Sequence, residues 1–275
     1  MAALLGYIER SSPIHQLSGL TKLICFLLWS FAAMLTYDTR VLVFLLFFSI
    51  IVFRISKIKW QEVSFVIILI LIFLLINNIA IYLFSPQEGV KIYGTNHVLL
   101  ELAGRYDLTL EQLFYQMNIT LKYLAIIPVA LLFLVTTDPS ELAASLNKIG
   151  ISYRLSYSIT LALRYIPDIQ REFHLISKAQ QARGVDLSKN EKLWRRLKNA
   201  AAIILPLVMS SLDKIETISN AMELRGFGKH KRRTWYSFRP LKKKDYIALL
   251  IMIAIFSAAM AITFYDGSRF YNPFL

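Results

Sequence analysis

The sequence predicts an all-α integral membrane protein: about five transmembrane helices, with a cytoplasmic helical module inserted before the last of them. Three observations predict it. Hydrophobic residues fill 56% of 275 positions and mean hydropathy is +0.50, yet the formal net charge is +13, so apolar and charged residues must be segregated along the chain. Five stretches approach the ~20 mainly apolar residues needed to cross a hydrocarbon core. The roughly 100 residues between the fourth and fifth are too many for a plain connection and carry a helical period of their own.

The first span is "LTKLICFLLWSFAAMLTY", 20–37. The preceding "MAALLGYIERSSPIHQLSG" lacks the ordered basic start, apolar core and small-residue cleavage site of a signal peptide, so the span is expected to be retained. The second, "VLVFLLFFSIIVF" at 41–53, is short. It is either one arm of a helical hairpin turned at "TYDTR" or a partly inserted helix. The third and fourth run over 63–84 and 117–136, and the last over 246–265. The chain thus divides into a membrane domain (1–136), the inserted module (137–245), and the last span with a short external tail (246–275).

Orientation follows from the Lys and Arg of the connecting segments. The 54–62 segment carries Arg54, Lys57 and Lys59, whereas the 85–116 segment sets Lys91 and Arg105 against Glu88, Glu101, Asp107 and Glu111. Between 137 and 245 there are 21 Lys and Arg against 10 Asp and Glu, an excess of 11. These counts predict a cytoplasmic N-terminus, an external C-terminus and a cytoplasmic module. In the 85–116 loop a short helix is expected near "DLTLEQLFYQ".

Within the module, Leu163, Ile166, Ile169, Phe173 and Ile176 recur at spacings of three and four, as do Ile204, Val208, Leu212, Ile215, Ile218 and Met222. Each stripe leaves a polar opposite face, so two amphipathic helices are expected. "TTDPSEL" is a helix start and Gly150 a helix stop, giving a short helix over 140–149. Pro167 and Pro206 should kink or restart the longer helices. The basic runs "KHKRRTW" and "RPLKKKD" hold the inner end of the last span against anionic headgroups, without need of a nucleic-acid partner.

"AQQARG" (179–184) returns as "AMELRG" (221–226), so that Arg183 and Arg225 stand 42 positions apart. Gly after the last helical residue, with a cation in the final turn, is a helix stop by itself. Val185 and Phe227, directly after each Gly, are placed to supply its hydrophobic contact. Capping leaves unexplained the shared upstream Ala and the presence of both cations on one exposed module. Two helices ending in parallel, each presenting a guanidinium fork, suit acidic grooves on a soluble partner.

Other chemistry is weakly represented. The phosphate-binding pattern G-x-x-x-x-G-K-[ST] is absent, and His230 follows Lys229 where a hydroxyl is needed. His15, His97, His174 and His230 are scattered, so no metal site is expected, and the lone Cys25 forms no disulfide framework. A stand-alone secondary transporter would place ionisable groups near the bilayer midplane, but the five stretches contain no Asp or Glu. Lys22 and Lys122 are expected to snorkel at span ends, and Asn77 and Asn78 to make interhelical hydrogen bonds. A membrane-embedded enzyme lacks a paired carboxylate or nucleophile–base set. The chain is therefore expected to be non-catalytic and to carry no cofactor.

"IHQLSGLTKL", "TTDPSELAASLNKIGI", "LALRYIPDIQREFHLISKAQQARG" and "AMELRGFGKHKRRTWY" resemble, in order and spacing, the transmembrane (T) component of energy-coupling factor ABC transporters. The resemblance implies a prokaryotic cell-membrane complex for uptake of a vitamin or other micronutrient. In it, the chain joins two ABC ATPases, which bind ATP and Mg, to one substrate-binding S component. It also implies that 137–245 is a coupling module whose Arg-Gly helix ends seat on the ATPases. The first motif is intact as Ala182, Arg183 and Gly184; in the second, Leu224 stands in place of alanine before Arg225 and Gly226. The apolar stripes, through Ile166, Ile169, Phe173, Leu212, Ile215 and Ile218, are the expected S-component contacts.

Overall fold

The computed structural model describes residues 12–101, 106–185, 193–230, 239–265 and 268–274. In chain order its elements are α1 (Gly19–Leu35), α2 (Thr39–Ile55), α3 (Trp60–Phe84), α4 (Glu88–Tyr93), β1 (Val98–Leu100), β2 (Leu108–Thr109), α5 (Leu110–Thr136), α6 (Pro139–Lys148), α7 (Tyr153–Ala182), α8 (Leu193–Leu224) and α9 (Lys243–Thr263). The two short strands pair antiparallel; the remaining elements are helices, as expected of an all-α integral membrane protein. Two compact units result: Met1–Glu141 with Arg239–Leu275, and Leu142–Phe238.

In the first unit, residues 36–38 join α1 to α2; α1 packs on α9 and α5, and α2 chiefly on α5. Ser18 Oγ caps α1 by accepting from Thr21 N at 3.2 Å, and Asp38 caps α2 by accepting from Arg40 N at 2.9 Å. Both helices have 17 residues, the lower limit of about 17 for a crossing helix. Val63–Phe84, Leu110–Thr136 and Lys243–Thr263 are long and apolar enough to cross by themselves. The fourth span starts earlier than the sequence indicated. Thr109 Oγ1 accepts from Gln112 N and starts α5 at Leu110, so the short helix expected near "DLTLEQLFYQ" is the first turns of a 27-residue helix.

α5 is central and packs against α1, α2, α3 and α4. Trp29, Ala32, Ala33, Val41, Leu45, Ala125, Met252 and Ala259 form one buried cluster, whose alanines let the backbones approach closely. Trp29 donates its indole N–H to Ala125 O at 3.0 Å. Asn78 and Thr120 bridge α3 to α5 at 3.1 Å, the interhelical role expected of this asparagine. The two lysines differ from expectation, because neither snorkels. Lys22 Nζ is buried and donates to Thr136 O at 2.7 Å. Lys122 donates to Met34 O at 2.9 Å and lies 3.0 Å from the centre of the Tyr37 ring. A carbonyl in the last turn of a neighbouring helix thus serves each ammonium group in place of water.

At one end of this unit, a polar cluster joins three helix termini. Asp245, in the first turn of α9, accepts from Ser18 N and Lys242 N, each at 2.8 Å. Glu141 pairs with Arg239 at 2.8 Å; burial raises its carboxyl above the usual range, against the opposing charges of Arg239 and Lys22. At the other end, α4 lies on the start of α5. Gly89 N donates to Gln112 Oε1 at 2.8 Å, and a Cβ on Gly89 would meet the Glu111 backbone at 2.4 Å. Glu111 is fully buried and accepts from Thr95 Oγ1 and His97 N while facing His97 Nδ1 at 2.7 Å. The C-terminal segment docks here too, with Asn272 Nδ2 donating to Tyr93 O at 3.0 Å.

In the second unit, α6 follows the predicted short helix closely, and Gly150, at φ 110°, ends it. α7 and α8 run on through Pro167 and Pro206. Each proline removes one hydrogen bond without restarting its helix. Most of "KHKRRTW" lies outside the described residues.

Candidate functional site

The candidate site is the α7–α8 hairpin, and two sets of contacts fix its direction. Glu172 of α7 takes hydrogen bonds from Ser210 Oγ and Lys214 Nζ of α8. The start of α7 meets the end of α8, where Gly228 N donates to Tyr153 Oη at 2.6 Å and Arg154 Nη2 donates to Gly228 O at 3.0 Å. The helices are therefore antiparallel. Hydrogen bonds from Lys214 and then Ser210 hold the Glu172 carboxyl below its usual range.

This direction corrects the expectation of two helices ending in parallel. Arg183 lies 11 residues beyond Glu172, and Arg225 lies 11 residues beyond Lys214 in the opposite sense. At 1.5 Å per residue each is about 16 Å from the Glu172–Lys214 link, so the two Arg-Gly ends stand roughly 30 Å apart along the hairpin. A sequence repeat fixes what each end looks like, but which way each helix points depends on the unrepeated residues that pair them.

Both ends have the same backbone geometry. At the first, Gly184 takes φ 87°, Gly184 N donates to Gln181 O, and Val185 N donates to Gln180 O, both at 3.0 Å. At the second, Gly226 takes φ 66°, Gly226 N donates to Glu223 O at 2.8 Å, and Phe227 N donates to Met222 O at 2.9 Å. These 5→2 and 6→1 bonds are Schellman motifs. Gly150 ends α6 with the same pair, to Asn147 O and Leu146 O, so the motif alone does not mark a functional end. What sets 183 and 225 apart is the exposed arginine before each glycine. Ala182 and Leu224 are exposed too, Leu224 at 90%.

The two ends differ in their support. Phe227 packs on Tyr153 and Tyr157, with ring centres 5.4 and 5.1 Å apart. With the Tyr153 and Arg154 bonds to Gly228, this ties the Arg225 end to the first turn of α7. Val185, the residue at the same position of the first end, is partly buried and carries no ring, so that end has no aromatic counterpart. The sequence reading did not single out Tyr153, Arg154, Glu172, Ser210 or Lys214. Only Tyr153 and Tyr157, four apart on one helix face, gave a legible signal.

The stripe residues are mostly exposed. Ile166, Ile169, Phe173, Leu212 and Ile215 are each at least 40% accessible, and Ile218 is partly buried. Ile169, Ile215 and Ile218 line one groove of about 430 Å³ between the helices, together with Leu161, Ala162 and Met222. Ile166, Phe173 and Leu212 are not among its lining residues. A second groove of about 620 Å³ is charged, with Asp168, Arg171, Glu172, Asp213 and Lys214 in its walls. The hairpin thus offers one apolar groove and one ionic groove.

Comparison with known proteins agrees with this architecture. The family model CbiQ, described as cobalt transport protein, matches residues 10–236. The chain is 28% identical over 273 residues to an energy-coupling factor transporter transmembrane protein of Bacillus selenitireducens, covering 95% of this chain and 97% of that one. It is 27% identical over 260 residues to the protein of the same description from Exiguobacterium sibiricum, covering 90% and 94%. Over 142 residues it is 32% identical to that of Limosilactobacillus fermentum, covering 49% and 53%. The fold is that of a multi-pass α-helical membrane protein, and the family match makes it part of a transport system. The chain belongs to the CbiQ family and is a transmembrane component of an energy-coupling factor transporter.

Proposed function

We propose that this chain couples two ABC ATPases to one substrate-binding S component for uptake of a vitamin or other micronutrient across a prokaryotic cell membrane. The distribution of Lys and Arg supports placing the N-terminus and the α7–α8 hairpin in the cytoplasm and the C-terminus outside. ATP and Mg are held by the ATPases, and this chain performs no catalysis.

The observation that carries the reading is the pair of Arg-Gly ends: matching Schellman geometry, an exposed arginine at each, and opposite placement on one hairpin. A spacing of roughly 30 Å serves two separate acidic sockets better than one. Ala182, Arg183 and Gly184 form one plug; Leu224, Arg225 and Gly226 form the other. Closure of the ATPase dimer on ATP moves the two plugs together. Because the helices are linked through Glu172, Ser210 and Lys214, that movement changes the apolar surface of Ile166, Ile169, Phe173, Leu212, Ile215 and Ile218 against which the S component packs. Such a shift requires differential binding of the ATPases to the two arrangements.

Co-purification tests the assembly. The tagged chain, expressed with its adjacent genes and solubilised in mild detergent, should bring down two ATP-binding cassette subunits and a small hydrophobic protein. Purification alone, with substrate uptake by the reconstituted chain, would instead establish a stand-alone transporter.

A further inference from the structure

In the first unit, α2, α3 and α5 enclose a groove of about 620 Å³ that opens to the outside of the bundle. Its walls are apolar, through Ile50 and Phe53 of α2, Leu71 of α3, and Ile127 and Pro128 of α5, and among the described residues its charged lining residue is Arg54. Arg54 stands in the last turn of α2, so the cation lies at the depth where the span ends and the apolar slot continues toward the middle of the span. Among the described residues, Arg54 is exposed and its guanidinium has no hydrogen-bond or ion-pair partner. Lys57 and Lys59 follow it in the turn, and no carboxylate lines the groove among the described residues.

We propose that this groove binds an anionic phospholipid of the bilayer, one acyl chain lying along Ile50, Leu71 and Ile127 and the headgroup phosphate on Arg54. Three features favour this occupant. The volume falls within the ~300–1,000 Å³ of small-molecule sites. Spread over the roughly 12 Å that eight residues of α2 span, it gives a mean section of about 50 Å², narrower than a helix about 10 Å across with its side chains. An apolar slot with a single guanidinium at interface depth matches a tail and a phosphate, since arginine recognises phosphate through its planar fork. A purely apolar partner helix would leave the guanidinium without a counter-charge, which a lipid phosphate supplies.

The test is photolabelling of the full chain, alone and in its assembled transporter, in nanodiscs. The probes are phosphatidylglycerol and phosphatidylcholine, each with a diazirine in one acyl chain. Labelling by phosphatidylglycerol should concentrate on peptides containing residues 46–58 and 124–131. Arg54→Gln should lower it about fivefold, the factor contributed by one basic residue at an anionic lipid surface. Ile127→Trp, which fills the slot and keeps the cation, should lower labelling by both lipids. Arg54→Lys should retain part of the preference. Equal labelling by the two lipids in the wild type overturns the proposal without recourse to any variant. So does unchanged labelling in Arg54→Gln, or loss of label on assembly, which would make the groove a protein interface.

Discussion

Phe227→Ala should loosen one Arg-Gly end and leave the other alone. Phe227 makes two aromatic contacts, with Tyr153 and Tyr157, at ring-centre distances of 5.4 and 5.1 Å. At ~0.5–1.5 kcal/mol for each pair, the loss is about 2 kcal/mol, or roughly 30-fold in the equilibrium for local opening. The Gly228 bonds to Tyr153 and Arg154 remain possible, so the end frays rather than unfolds. Hydrogen exchange read by mass spectrometry should show faster exchange over 222–228 and no change over 178–185. If both ends respond equally, or neither does, the aromatic contacts do not hold the Arg225 end and the claimed asymmetry is wrong.

Further outcomes follow from other positions. Gly184 has φ 87° and open space where a Cβ would stand, so Gly184→Ala should cost only left-handed strain, about 1 kcal/mol, seen as faster exchange in the last turn of α7 with membrane insertion intact. Gly89→Ala has the opposite cause, because its Cβ would collide with the Glu111 backbone at 2.4 Å; about 1–3 kcal/mol of overpacking should lower the melting temperature of the purified chain. Glu172 is held below its usual pKa, so its contribution is present above the unfolded carboxylate value and is lost as pH falls through the folded one. The difference in melting temperature between wild type and Glu172→Gln should be constant from pH 8 to about 5 and shrink below about 4. A difference that grows on acidification would reverse the assignment.

The spans were legible because a bilayer demands length and apolarity, both of which are local properties. The fourth span begins seven residues before the apolar run does, because Glu111, Gln112 and Gln116 are polar enough to suggest a separate short helix. Glu111 and Gln112 instead satisfy Thr95, His97 and Gly89 from within α5. Lys22 and Lys122 read as snorkelling for the same reason: the carbonyls of Thr136 and Met34 that receive them lie 114 and 88 residues away. The Arg-Gly stops were legible, since a Schellman cap is written in six consecutive residues. The direction of the helices carrying them was not, because it rests on Glu172 with Lys214 and on Tyr153 with Gly228, pairs that no local pattern connects.

The central claim is that Arg183 and Arg225 are docking groups rather than helix stops alone. It is tested most directly by the binding of purified partner ATPases to the chain carrying Arg183→Ala and Arg225→Ala, singly and together. Neither change touches the backbone bonds that form the caps, so melting temperature and helicity should match wild type. Truncating one partner of a buried charge pair costs about 2–5 kcal/mol, so each single variant should weaken ATPase binding by at least tenfold and the double variant should abolish it. A double variant that binds both ATPases with wild-type affinity would contradict the account.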